Sequence, residues 1–125
     1  MKYLLSILIL FSGLSFSSTY LICDEPYTFY PNKNLRFLVR MDGTEVTMFT
    51  LSSDNYQTLK YFYDDLTVTD SEYIWNGGVF GWRLDRETLM LGSKYECKVV
   101  DWSGFQIALN EFSDIVNKAK AKRKI

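Results

Sequence analysis

Two cysteines, Cys23 and Cys97, constrain the folding of this 125-residue chain more than any other feature. Ahead of them stands a stretch with the form of an export signal. Met1 and Lys2 make a short positive start, Tyr3 to Leu14 an apolar run, and Ser15-Phe16-Ser17 fits the small-x-small cleavage rule. Removal of residues 1–17 is expected, with a periplasmic or secreted location for the rest. An even cysteine count in an oxidising compartment predicts a Cys23–Cys97 disulfide. By chain entropy a loop of roughly 75 residues closed in this way contributes about 4.5 kcal/mol, comparable with the net stability of a small domain. The chain has no histidine to activate a thiol, so a structural bridge is expected over a catalytic cysteine. Bulky Ile22 before Cys23 argues against a lipid anchor there.

The remaining stretch of about 108 residues suits one domain with a modest core. The apolar run Tyr3 to Leu14 is too short for a stable membrane span, and no second run of about 18 apolar residues follows. The net charge of −1 conceals an asymmetry. All fifteen acids lie between residues 18 and 117, whereas Lys118, Lys120, Lys122, Arg123 and Lys124 crowd the end. The acidic body lacks the basic field that nucleic-acid binding requires. The basic tail has two readings: cations meeting the negative end of a helix dipole, or contact with an anionic lipid, polymer or nucleic-acid surface.

Turn signals organise the middle of the chain. Leu35 to Met41 and Thr44 to Leu51 flank Asp42-Gly43, a strong hairpin cue. With Met41 opposite Thr44, one face collects Leu35, Phe37, Val39, Met41, Val46 and Met48, and Arg40 falls opposite Glu45. A second hairpin turns at Gly77-Gly78, setting Trp75 against Phe80, Tyr73 against Trp82, and Glu72 against Arg83. A third, at Gly92-Ser93, sets Met90 against Tyr95 and Thr88 against Cys97. Between the first two, Tyr56, Leu59 and Phe62 fit a helical turn after Asp54, but strand is favoured from Leu59 onward, and Pro26 and Pro31 bracket an extended lead-in.

The end of the chain changes period. Phe105, Ala108, Leu109, Phe112, Ile115, Val116 and Ala119 recur at helical spacing, predicting a helix over 104–122 with a capping box from Ser103 and a staple of Trp102 on Ile107. The expected fold is mainly β: a small antiparallel meander over 18–103, barrel-like or strongly curled. The terminal helix and tail, 104–125, pack on the same domain over an edge or an open end. The cysteines tie the first strand to the last and close the sheet.

Catalytic sets are scarce. Without histidine the usual triads and imidazole zinc sites are excluded, and no metal or cofactor site is read from the residues. Asp64-Asp65 and Asp24-Glu25 are adjacent acids, but neighbours on a strand point to opposite faces. Asp64, Asp65, Asp70 and Glu72 lack calcium-loop spacing, and Gly77 to Gly81 lacks the lysine and helix of a phosphate loop. The aromatic set Tyr73, Trp75, Phe80 and Trp82 is either one wall of the core or a patch where a partner or apolar ligand docks, and Trp102 and the run Tyr61-Phe62-Tyr63 carry the same two readings.

Three segments, Tyr20 to Tyr27, Leu66 to Trp75, and Trp82 to Leu89 ahead of Tyr95-Glu96-Cys97, resemble a group of uncharacterised short exported proteins of marine bacteria and their phages. That resemblance implies the layout and carries no activity. A weaker likeness is to periplasmic inhibitors of C-type lysozyme, small disulfide-linked antiparallel barrels. It rests on Tyr20-x-x-Cys23, the aromatic hairpin, Thr88 to Leu91 and Tyr95-Glu96-Cys97. Those inhibitors place a serine and a lysine in the enzyme cleft. Here Ser71 lacks the motif's following glycine and Arg83 stands where a lysine would serve. The expectation is a non-enzymatic binding or interaction module with an unidentified protein or small ligand as partner. The alternatives are an inhibitor of a cell-wall-degrading enzyme and a carboxylate-dependent hydrolase.

Overall fold

The computed structural model describes residues 18–26, 36–77 and 81–123. The expected export signal, the stretch between Tyr27 and Leu35, the hairpin tip with Phe80, and Lys124 lie outside the described residues. The strands are β1 (Thr19–Asp24), β2 (Arg36–Asp42), β3 (Glu45–Leu51), β4 (Thr58–Tyr63), β5 (Thr67–Val68), β6 (Glu72–Trp75), β7 (Trp82–Asp85), β8 (Met90–Leu91) and β9 (Tyr95–Val100), followed by the helix α1 (Trp102–Arg123). All pairings are antiparallel, in the order β4-β3-β2-β1-β9-β8-β7-β6-β5. The fold is mainly β, a sheet curled into a half-barrel with one C-terminal helix. The curl brings β6 across to β3, where the Trp75 indole N–H donates to Met48 Sδ at 3.4 Å.

Cys23 and Cys97 stand directly opposite each other on β1 and β9, with alpha carbons 3.9 Å apart, and are bonded. The bridge joins the first strand to the last as expected. It does not close the barrel: the open seam lies between the edge strands β4 and β5, which are consecutive in the chain. First and last strands meet in mid-sheet instead.

Alternation sorts the side chains onto two faces. The inner face gathers Leu21, Cys23, Val39, Met41, Val46, Met48, Trp75, Leu84, Leu91 and Tyr95 into the main core. The opposite face of β1 and β2 offers Ile22 and Leu38, and α1 covers them with Phe105, Ala108 and Phe112. The helix therefore lies on a sheet face, not over an edge or open end. The reason is visible in Tyr20-Leu21-Ile22-Cys23 and Phe37-Leu38-Val39: strands apolar on both faces need cover on both. Arg36 strengthens this layer. Its guanidinium grips Asp24 through Nε (2.6 Å) and Nη2 (3.0 Å) and reaches Glu111 of α1 at 3.6 Å. The hydrogen bond to Asp24 holds the Arg36 pKa above its ordinary value, against the lowering effect of burial.

The helix starts two residues earlier than the spacing predicts. Asp101 is its cap: Oδ1 accepts the Gly104 N–H at 2.8 Å, and the Asp101 carbonyl accepts the Phe105 N–H at 3.0 Å. Trp102 and Ile107, the expected staple, are 55% and 59% exposed. With Asp101 as cap the staple positions fall on Val100 and Phe105, which pack in the same cluster. Asp101→Ala should cost about 1 kcal/mol, whereas Ser103→Ala should stay within about 0.5 kcal/mol of the parent in a urea melt. Equal effects would return the cap to Ser103.

Hairpin registers differ from expectation while most faces persist. Asp42 pairs with Glu45 and Met41 with Val46, so Gly43-Thr44 forms the turn, with φ +64° at Gly43. A glycine at the first central position is the type II′ pattern, not the Asp-Gly type I′ one. The slip is two residues, so the apolar face survives. Arg40 loses Glu45 and meets Asp42 at 3.3 Å. The second hairpin is displaced likewise, with Trp75 opposite Trp82 and Tyr73 opposite Leu84. The Glu72–Arg83 ion pair forms nonetheless, diagonally, at 2.9 Å. In the third, Leu91 pairs with Tyr95 across a three-residue loop, an odd offset that buries Leu91 instead of Met90. Cys97 then faces no threonine: its N–H donates to the Leu89 carbonyl at 2.9 Å, and Leu89 itself is left-handed at φ +61°.

Candidate functional site

The sheet register builds a cross-strand row on the helix side of the sheet. Tyr20 on β1, Arg40 on β2, Thr47 on β3 and Phe62 on β4 are successive partners, and Phe49 opposite Lys60 forms the adjoining row. The first two turns of α1 rise beside these rows and enclose a groove of about 460 Å³, within the usual size of small-ligand sites. Its lining includes Tyr20, Arg40, Phe49, Lys60, Trp102 and Gln106.

Aromatic rings form the wall. The Tyr20 ring centroid lies 5.5 Å from that of Trp102 and 5.0 Å from that of Phe105, and Phe49 meets Phe105 edge-on at 6.0 Å. Trp102, more than half exposed, presents indole surface at the mouth. Both charged residues lining the groove are cations. Lys60 Nζ stands 5.8 Å above the Phe49 ring and forms no ion pair among the described residues. Arg40 uses Nη2 on Asp42, while its Nε is buried without an acceptor among the described residues. A buried donor left this way costs about 1–3 kcal/mol. Comparison with known protein families, curated proteins and solved structures finds no match. The groove is read from its own side chains.

The predicted aromatic set falls elsewhere. Trp75 has no exposed surface and belongs to the main core; Tyr73 and Trp82 pack partly against that core, and Trp82 meets Phe37 edge-on at 5.3 Å. Arg86 lies 5.3 Å over the Tyr73 ring. Lys118, Lys120 and Lys122 are exposed on the last turns of α1, which Arg123 closes. Adjacent acids do not converge: Asp24 is held by Arg36, Glu25 by Lys94 at 3.2 Å, and Asp65 Oδ1 accepts the Asn76 N–H at 2.9 Å. The hydrogen bond to Glu25 holds the Lys94 pKa above its ordinary value. Ser71 and Arg83 are exposed, and Arg83 is engaged by Glu72.

A second hollow, of about 480 Å³, is lined by Glu72, Arg83, Asp85, Thr88, Met90, Gly92 and Ser93. Its charges are already committed. Asp85 Oδ1 accepts the N–H groups of Thr88 (2.9 Å) and Glu87 (2.8 Å), which hold its carboxyl below the usual aspartate range. With no aromatic surface and no unpaired cation, it is the weaker candidate.

From the sequence Arg40 is expected opposite Glu45, and Trp102 is either a staple or part of a docking patch. The exposure of Trp102 and its place on the groove favour the patch, whereas Tyr20, Phe49 and Lys60 are not among the expected site residues. The signal available was parity. Once β1 and β2 are apolar on both sides, any cation on the helix-side parity of β2 and β4 must stand at the margin of the covering helix.

Proposed function

We propose that this protein is a non-enzymatic binding module of an exported compartment, periplasmic or secreted, and that it holds its ligand in the groove between α1 and the outer row of β1 to β4. The observation that carries this reading is a roomy aromatic groove in which two cations keep unused hydrogen-bonding capacity. Asp24, Glu25 and Asp65 are each held by a neighbour and none lines the groove, which supports a binding role over carboxylate chemistry, and the disulfide suits an oxidising compartment. Among the described residues no helix is long and apolar enough to cross a membrane. The exposed lysines of the last helical turns are placed to meet an anionic surface while the groove stays open.

The test is a thermal-shift panel of sugars, amino acids, nucleotides and fatty acids, run beside Trp102→Ala. A compound present at about 10 times its Kd adds about 1.4 kcal/mol, which raises the melting temperature by roughly 6–11 °C. The expected result is at least one stabilising compound whose effect disappears in Trp102→Ala. Turnover of ester, glycoside or phosphate substrates that Asp64→Asn or Asp65→Asn abolishes would overturn the reading, as would stabilisation indifferent to Trp102.

A further inference from the structure

Resting on that reading, we propose that the groove is specific for a small organic anion whose charged group, a carboxylate or its equivalent, is carried on a flat apolar ring. Two independent features of the groove point to the two halves of such a ligand.

The ring half follows from the wall. The Phe105 ring is tilted against Tyr20 and edge-on to Phe49, and Trp102 extends the same wall outward with more than half its surface exposed. Tilted aromatic walls hold planar ligands by stacking and edge contacts, with gain beyond area burial alone. Gln106 adds an amide able both to donate and to accept at the rim.

The anionic half follows from charge. Between residues 18 and 117 acids outnumber cations fifteen to eight, so a groove whose only charged lining residues, among the described residues, are Arg40 and Lys60 runs against the composition of the body. The two residues sit on β2 and β4, with β3 between and one row apart, roughly 10 Å across the sheet and about 7 Å along it. Both side chains are long enough to lean toward one bound group. Arg40 has five N–H donors and one carboxylate partner, at 3.3 Å, and its Nε has no acceptor among the described residues. A ligand carboxylate that draws the guanidinium toward the groove gives this donor a partner, which no neutral ligand group does as strongly. Lys60, resting over Phe49, supplies the second positive charge from β4 on the same sheet face.

The experiment uses three probes on the full chain, followed by amide and indole NMR shifts: 2-naphthoate (ring and charge), 2-naphthylmethanol (ring alone) and acetate (charge alone). The three tryptophan indole signals serve as built-in reporters. Trp102 should move on binding, whereas Trp75, enclosed in the core and bonded to Met48, should not. The expected result is that 2-naphthoate binds at least tenfold more tightly than either other probe, and more weakly as salt is raised. Lys60→Met and Arg40→Met should each reduce its affinity toward that of 2-naphthylmethanol. Lys60 is exposed, so its variant stays informative should Arg40→Met fold poorly. An unchanged Trp75 signal certifies the fold of either variant.

Equal binding of 2-naphthoate and 2-naphthylmethanol overturns the anion claim and leaves the binding-module reading intact. Equal binding of acetate and 2-naphthoate overturns the ring claim. Shifts that bypass Trp102 for all three probes overturn the proposal as a whole. The compound panel then decides the broader reading separately.

Discussion

Breaking the Cys23–Cys97 bridge is expected to lower the melting temperature by roughly 20–35 °C. The chain-entropy contribution of about 4.5 kcal/mol converts at roughly 4–8 °C per kcal/mol for a domain of this size. Reduction and substitution separate two effects. Reduced wild type keeps both sulfur atoms in place, with Cys23 fully buried, and so loses the cross-link alone. The Cys23→Ala, Cys97→Ala double variant also loses packing volume in the main core and should melt lower still. Circular dichroism melts with and without reductant measure both. A loss below about 5 °C on full reduction would mean that the β1–β9 ladder holds the mid-sheet pairing without the bond.

Trp75→Ala carries the second largest effect, a loss of roughly 3–5 kcal/mol in urea unfolding. Trp75 is the largest fully buried side chain described, and it contacts Met48 from the far side of the curled sheet. Its removal leaves a cavity where the two arms of the half-barrel touch. Trp75→Phe keeps a ring but gives up the indole N–H to Met48, and should lose about half as much. Trp102→Ala supplies the contrast. An exposed indole leaning on Tyr20 should change stability by less than about 1 kcal/mol, so the two tryptophans divide cleanly into core and groove. Comparable losses at both positions would refute that division.

The layout of strands was legible because glycine turns and alternation are local signals. The hairpins around Gly43, Gly77 and Gly92 and the strand from Leu59 all follow from neighbours in sequence. Register was less legible, since it depends on which residues close a turn. Asp42-Gly43 and Gly43-Thr44 are both plausible two-residue turns, and the choice moves every partner by two positions while preserving the face. At Gly92 the loop has three residues, and the odd count turns Leu91 inward in place of Met90. The position of the helix was legible only in part. Apolar Ile22 and Leu38 interrupt the expected alternation of β1 and β2, which marks a second buried face, but nothing local says what covers it. The groove was least legible, because Tyr20, Arg40, Phe49, Lys60 and Trp102 come from five separate elements and meet only through register.

The mid-sheet pairing of β1 with β9 also sets a clock for biosynthesis. β1 is among the first strands translated, and Cys97 follows Cys23 by 74 residues. At roughly 5–20 residues per second, the growing chain carries Cys23 as a lone thiol for roughly 4–15 s. With two cysteines among these 125 residues, they have a single internal connectivity and no scrambled isomer to sort out. The hazard is therefore confined in time and in kind: until β9 is made, the only wrong disulfide Cys23 can enter is one with another molecule.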